Sequence, residues 1–263
     1  MSTYVLITGA SRGLGRELAS LYLARPNYTV IAANRDPSSS QSLSLHDFPT
    51  GENTKLIIVK LDAASDTDAP AAIETLKTQH GIERLDIVIA NAGIAYVWPK
   101  VEDVKIEDMR KHFEVNVLGV VRLWQATLGL LRKGNDPKWI TLGSQSGLLE
   151  VCLYYVVAIV CLWGVLTNMF CSECSEQRHA LQSLLITTPC DHVLIRHHHR
   201  KFLSAPDAAY GSTKATVHYL TNKMNREEPN ITVMVQSPGW AQTEMGMSIR
   251  SQTFPCPVFS NHV

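Results

Sequence analysis

Short β-branched and apolar runs alternate with longer stretches of helical period through the first 147 positions. That alternation is the pattern of a parallel sheet covered by helices. The runs Val5–Thr8, Thr29–Ala33, Leu56–Lys60, Asp86–Ala90 and Trp139–Leu142 read as strands, and Gly13–Ala24, Ala69–His80 and Ile106–Arg132 read as helices. Asp36–Asn53, rich in Ser and Pro, predicts a loop with room for one short helix. The pattern resumes at Ser204: Pro206-Asp207 marks a helix entry, Ala208–Asn225 keeps helical period, and Ile231–Gln236 reads as a further strand. The expected fold class is α/β, a doubly wound parallel sheet in one domain.

The segment between these two regular parts, Leu148–Leu203, has a different composition. It holds five of the six cysteines, five of the ten histidines and a 20-residue uncharged run, Val151–Phe170. The expected organisation is therefore 1–148 as the cofactor-binding part of the domain, 149–202 as an atypical insertion, 203–246 as the catalytic helix and sixth strand, and 247–263 as an irregular tail. A chain of 263 residues with 45% hydrophobic content fills one large core. Lys plus Arg (24) equals Asp plus Glu (24), so no bulk charge draws the protein to nucleic acid or an anionic membrane. A small-molecule partner is expected. The N-terminus lacks the basic patch, apolar stretch and cleavage site of a secretory signal, and every cysteine follows Ser146, unlike a secreted disulfide framework. The expected location is cytoplasmic.

The first strand, the turn Thr8-Gly9-Ala10-Ser11-Arg12-Gly13-Leu14-Gly15 and the first helix form a junction at which backbone N–H groups can face a pyrophosphate. Glycines alone fit a bare strand-to-helix turn as well; the flanking strand and helix favour the cradle and a Rossmann-like reading. At the end of the second strand, an acidic residue would bond a ribose 2′-hydroxyl and a cation would suit a 2′-phosphate. Here stand Asn34-Arg35, with Arg12 in the glycine turn. Both guanidiniums can bind phosphate bidentately, which favours NADPH/NADP+ over NADH. The alternative is that Arg35 is a solvated loop residue, with Asp36 beside it.

Carbonyl reduction needs a hydride and a proton delivered to the developing alkoxide. Tyr210 is the candidate acid; its unperturbed pKa of about 10 is high for that task, and a nearby cation lowers it. Lys214 lies four residues on, on the same helix face. Ser144 ends a strand at the carboxyl edge of the sheet, where its hydroxyl can hold the carbonyl, with Ser146 as rival.

Taken in order, Thr8-Gly9-x-x-x-Gly13-x-Gly15, Asp62, Asn91-Ala92-Gly93, Asn116, Ser144, Tyr210-x-x-x-Lys214 and Pro238-Gly239 with Thr243 resemble the classical short-chain dehydrogenase/reductase family. The resemblance covers about 1–147 and 204–246. Its Ser-x-x-Gly pattern, matched as Ser144-Gln145-Ser146-Gly147, selects Ser144. It implies that Asn116 holds a water relaying protons through Lys214, a buried asparagine satisfied by backbone being the alternative. It also implies that Asp62 contacts the adenine, Asn91 the adenosine-side ribose, and Thr243 with the backbone near Ala241 the nicotinamide or its phosphate. Ser11, Leu14, Ala92, Gly93, Pro238 and Gly239 would complete the cofactor surface, with Tyr210 and Lys214 at its catalytic end. Asn91-Ala92-Gly93 and Pro238-Gly239 also fit plain turns.

Within the family, Thr8–Arg16, Ile57–Asp62, His80–Asp86 and Ala209–Lys214 are most similar to fungal ketoreductases of the norsolorinic acid type. That resemblance implies a bulky aromatic or polyketide ketone; Tyr96, Trp98 and Trp240 fit stacking on a flat substrate and fit ordinary loop packing equally. It also implies pairing into dimers or tetramers through the helices bearing Asn116 and Tyr210.

Two departures stand out. Ser144 and Tyr210 are 66 residues apart, far more than the family spacing, which leaves 149–202 as surplus. That block reads as retained intron or gene-model error, as a membrane span over Val151–Phe170, as a metal site around Cys171-x-x-Cys174 with Cys190, His192 or His197–His199, or as a surface loop. No metal site is assigned. The stretch after Thr243 is also too short for the family's closing helix and strand, so a missing C-terminal strand is expected. A disabled nucleotide-binding remnant and a membrane-associated reductase are the rival functions.

Overall fold

A computed structural model describes residues 2–147 and 206–238. The insertion, the tail, the Val151–Phe170 run, Cys171, Cys174, Gly239, Trp240, Ala241 and Thr243 lie outside the described residues. Contacts divide the chain into two compact units, Met1–Leu148 with Pro206–Val263, and Leu149–Ala205. The first unit contains the sheet.

Its elements are β1 (Thr3–Thr8), α1 (Gly13–Leu23), β2 (Tyr28–Asn34), α2 (Ser40–Leu43), β3 (Lys55–Lys60), α3 (Asp68–His80), β4 (Ile87–Ala90), α4 (Ile106–Phe113), α5 (Gly119–Leu131), β5 (Lys138–Leu142), α6 (Ala208–Glu227) and β6 (Thr232–Gln236). Six parallel strands run in the order β3-β2-β1-β4-β5-β6. The order reverses between β1 and β4, so a crevice opens there at the carboxyl ends of the strands.

Period-two alternation sends neighbouring strand residues into two separate cores. Leu6, Ile31, Val59 and Val88 pack on one face with α3, α5 and α6; Val5, Ile7, Val30 and Ile89 pack on the other with Ala19 and Leu23 of α1. Trp139 of β5 is fully buried and meets Trp124 of α5 edge-on, ring centroids 5.0 Å apart. Its indole N–H donates to Thr141 Oγ1, which also accepts from Thr221 Oγ1 of α6. A buried hydroxyl bond thus anchors α6 to β5.

The strands and most helices agree with the periodicity within a residue or two. Asp86 lies just before β4 because its carboxylate accepts the Tyr4 and Asn135 N–H groups, at 2.8 and 3.2 Å. The main difference is the single helix expected over Ile106–Arg132: a π-helical turn, Glu114–Leu118, divides it into α4 and α5. Asn116 sits in that turn, where its Oδ1 accepts the Ile94 N–H (2.8 Å) and its Nδ2 donates to Ile94 O (2.9 Å). This tertiary grip accounts for the local widening, which periodicity does not encode. Among the described residues no helix is long and apolar enough to cross a membrane.

Candidate active site

The turn after β1 is built for close backbone approach. Gly9 and Gly13 have φ of +66° and +56°, conformations costly for a side chain. A Cβ at Gly15 would stand 2.3 Å from Gly9 O, so the first turn of α1 can press against the loop only with glycine there. Arg12 at the N-cap makes no side-chain capping bond, so the helix start presents backbone donors. The turn is held from behind: Asn91 Nδ2 donates to Thr8 O and Gly9 O (2.8 and 3.2 Å), and Thr8 Oγ1 accepts the N–H groups of Asn91 and Ala92 (3.1 and 3.0 Å). Thr8 and Asn91 therefore lock β1 to β4 at the crevice. Gly93 follows beside the Asn116 amide, within 3.2 Å of where a Cβ would stand.

At the end of β2, Asn34 is buried and donates to Ser42 Oγ (3.1 Å), leaving its Oδ1 buried without a partner among the described residues. Arg35 is exposed. Asp36 Oδ1 accepts both the N–H and the hydroxyl of Ser38 (3.0 and 2.7 Å), bonds that hold its carboxyl below the usual range. The acidic residue is thus occupied in its own turn. Asp62 closes the loop after β3: its Oδ1 accepts the Ala64 N–H and its own N–H donates to Asp68.

At the other end of the crevice, α6 brings Tyr210 and Lys214 against the C-terminal end of β5. The Ser144 side chain hydrogen-bonds the Tyr210 phenol across the 66-residue separation. Lys214 Nζ donates to Leu142 O at 2.7 Å and lies 5.5 Å from the Tyr210 ring centroid. Both groups are buried, and burial dominates their titration. Desolvation pushes the Tyr210 phenol up to about 12, the negative Asp207 adding to the rise and Ser144 opposing it. The same burial brings the Lys214 ammonium down to about 8. Removal from water, rather than the neighbouring cation, sets the direction of the phenol's shift.

Asn116 Nδ2 also donates to Thr213 Oγ1 (3.1 Å), which in turn donates to Tyr210 O (2.7 Å). Asn116 thus ties the loop after β4 to the turn of α6 that carries the tyrosine. Trp98 and Asp207 flank the phenol, and His218 holds the Ser144 backbone. Trp98 stands edge-on to the Tyr210 ring, centroids 5.6 Å apart, with its Nε1 buried and unpartnered among the described residues. Asp207, three residues before Tyr210, carries a buried Oδ2 without a partner among the described residues, and desolvation raises its pKa. His218 accepts the Ser144 N–H. Of these only Trp98 stood out in the sequence; His218 had a signal in its spacing, one further turn along the Tyr210–Lys214 face. Tyr96 stacks on His112 (4.5 Å) and donates to Asp108, on the outer side of the same loop. Among the described residues no group of three or more His, Cys, Asp or Glu is arranged to hold a metal ion. Pro238 is described at the end of the β6 segment.

Residues 3–156 match the family described as short chain dehydrogenase. The norsolorinic acid ketoreductase of Dothistroma septosporum is 33% identical over 248 residues, covering 94% of this chain and 75% of that protein. The norsolorinic acid ketoreductase of Aspergillus parasiticus is 29% identical over 245 residues, covering 93% and 73%. Among solved structures, a short chain dehydrogenase of Shigella flexneri complexed with NADP aligns with a TM-score of 0.67 at 21% identity, over 96% of this chain and 83% of that one.

Proposed function

The chain belongs to the short chain dehydrogenase family, and from that premise we propose that it reduces a ketone with NADPH, Tyr210 delivering the proton. The observation that carries this reading is the convergence of Ser144, Tyr210 and Lys214 at the carboxyl end of β5, two strands along the same sheet edge from the glycine turn that follows β1.

The cradle fits a dinucleotide because Gly15 leaves no room for a Cβ against Gly9 O and the start of α1 has no side-chain cap. Thr8, Gly9, Ser11, Arg12, Gly13, Leu14 and Gly15 would line the pyrophosphate side, with Asp62, Asn91, Ala92 and Gly93 toward the adenosine, and Pro238, Gly239, Ala241 and Thr243 toward the nicotinamide. Arg35 and Arg12 would take a 2′-phosphate, and the engagement of Asp36 with Ser38 favours that choice over a 2′-hydroxyl. When bound, NADPH supplies the hydride.

Everything else falls to the chain's own groups. The Ser144 hydroxyl orients the carbonyl oxygen. Tyr210, with its pKa near 12, stays protonated at neutral pH and so holds the proton the alkoxide needs. As that proton leaves, the phenolate is stabilised by the Ser144 hydroxyl and by Lys214, which is mainly cationic below about pH 8. Asn116 holds the α6 turn bearing Tyr210 in register with the loop after β4. The names of the fungal relatives and the Trp98 ring beside Tyr210 support a bulky aromatic or polyketide ketone as substrate.

Tyr210→Phe tests the assignment. Ketone-dependent NADPH oxidation is expected to fall at least about a hundredfold, as loss of a general acid does, while the NADPH dissociation constant stays within about twofold. Undiminished turnover in the variant refutes Tyr210 as the acid. Tight NADPH binding by the unmodified chain without turnover on a ketone panel refutes the reductase reading and leaves a nucleotide-binding protein.

A further inference from the structure

Tyr210, Lys214 and His218 follow one another at four-residue intervals on α6, so they share a face, and all three meet the end of β5. Tyr210 engages the Ser144 side chain, Lys214 donates to Leu142 O, and the Ser144 backbone N–H donates to His218 Nε2 at 3.3 Å. Among the described residues the other bonds of Ser144 stay within its own 3₁₀ turn: its carbonyl accepts the Gly147 N–H (3.0 Å) and its Oγ accepts the Ser146 N–H (3.2 Å). His218 therefore supplies the hydrogen bond that ties the backbone of Ser144 to the helix bearing Tyr210. The approach is close. A Cβ at Gly143 would lie 2.3 Å from His218 Nε2 and 2.4 Å from Val235 Cγ1, so any side chain at 143 would push the ring away.

An N–H donor requires a lone pair on Nε2, which fixes the imidazole as neutral with its proton on Nδ1. The surroundings enforce that state: the ring is half-buried and the Lys214 ammonium stands one turn away, both lowering its pKa. A protonated ring would lose the Ser144 bond and set a second cation beside Lys214.

We propose that His218 is a positioning residue for the reduction, its neutral Nε2 holding the Ser144 N–H so that the Ser144 hydroxyl stays against Tyr210. The inference rests on the reductase reading above. It differs from simple filling of space in requiring an acceptor at the Nε2 position, and glutamine can place its Oε1 there while leucine cannot.

The test compares His218→Gln with His218→Leu by steady-state kinetics, NADPH binding and thermal melting. One ordinary hydrogen bond predicts a kcat about fivefold to tenfold lower in His218→Leu, with NADPH affinity unchanged and most of kcat recovered in His218→Gln. An unchanged kcat in His218→Leu, or equal losses in two well-folded variants, overturns the proposal. Nitrogen-15 spectra of the unmodified chain, assigned by the signal lost in His218→Gln, supply a readout independent of turnover and of how His218→Leu folds. A neutral ring protonated on Nδ1 is expected, and a ring protonated on Nε2 overturns the inference. Failure of the unmodified chain to reduce any ketone refutes the reductase reading and the kinetic role together; turnover that survives in His218→Leu refutes only His218.

Discussion

Replacing Lys214 with methionine should abolish turnover and at the same time make the protein more stable. Lys214 is 7% exposed, and its ammonium is depressed from 10.5 to about 8 by burial. At pH 7 both folded and unfolded states carry the charge, and the folded state bears the full cost of burying it, about 3 kcal/mol for a shift of that size. Methionine keeps most of the stem's volume and removes that cost, but it leaves the Leu142 carbonyl without the Nζ donor, a loss of about 1 kcal/mol. The net expectation at pH 7 is a gain of about 2 kcal/mol.

The pH dependence has a definite sign. With a lowered folded-state pKa, the unfolded chain binds more protons between about pH 8 and 10.5, so the stability of the unmodified protein rises across that window as the buried cation is discharged. At pH 9.5 the remaining cost is about 1 kcal/mol, which the lost bond cancels, so the two proteins should be nearly equal there. Urea unfolding of the cofactor-free chains, followed by tryptophan fluorescence at both pH values, measures this directly, since Trp124 and Trp139 sit in the core. A variant no more stable than its parent at pH 7, or an advantage unchanged at pH 9.5, refutes the picture of a strained buried cation.

Other substitutions test the rest of the site. Gly15→Ala would put a methyl 2.3 Å from a backbone oxygen; an overpacking cost of about 1–3 kcal/mol and loss of NADPH binding are expected, and normal NADPH affinity in a fluorescence titration would count against the cradle. Arg35→Ala should raise the KM for NADPH roughly tenfold to a hundredfold, the worth of a charge-assisted bond, and leave that for NADH unchanged. Equal effects on both cofactors would remove Arg35 from the 2′-phosphate. Asn116→Ala strips partners from both the N–H and the C=O of Ile94; a lower urea midpoint corresponding to about 2–4 kcal/mol is expected, and an unchanged midpoint would show that water replaces the amide.

The strands could be read from the chain because a parallel sheet buries them on both faces, leaving compact apolar runs such as Val5–Ile7 and Val30–Ala33. The glycine turn was equally legible, since positive φ and close approach demand a residue type that the sequence displays. What periodicity missed had tertiary causes. The π-helical turn at Glu114–Leu118 follows from the bond between Asn116 and the Ile94 backbone, 22 positions earlier, and nothing local marks it. His218 sits beside the 65% exposed Tyr219 in an ordinary helical stretch; its spacing puts it on the Tyr210–Lys214 face, but only the bond to Ser144, just past β5, shows what the half-buried ring holds. The upward shift of Tyr210 has the same kind of cause: Lys214 is visible in the sequence, but the depth at which both are buried is not.

The 66-residue interval between Ser144 and Tyr210 weighs less against the site than the sequence suggests, because the position of α6 is set by what it touches. Thr221 bonds Thr141 of β5, Thr213 bonds Asn116, Lys214 bonds Leu142 O and His218 accepts the Ser144 N–H, while Val217 and Met224 enter the core. Each hydrogen bond contributes on the order of 1 kcal/mol, and each buried apolar side chain about 1.5–3 kcal/mol. Against this, each doubling of the connection costs only about 0.6 kcal/mol in chain entropy, since the penalty grows with the logarithm of length. The docking contacts of α6 exceed that cost several times over. The helix can therefore return to β5 over a long connection, and Tyr210 meets Ser144 because sheet and helix faces match.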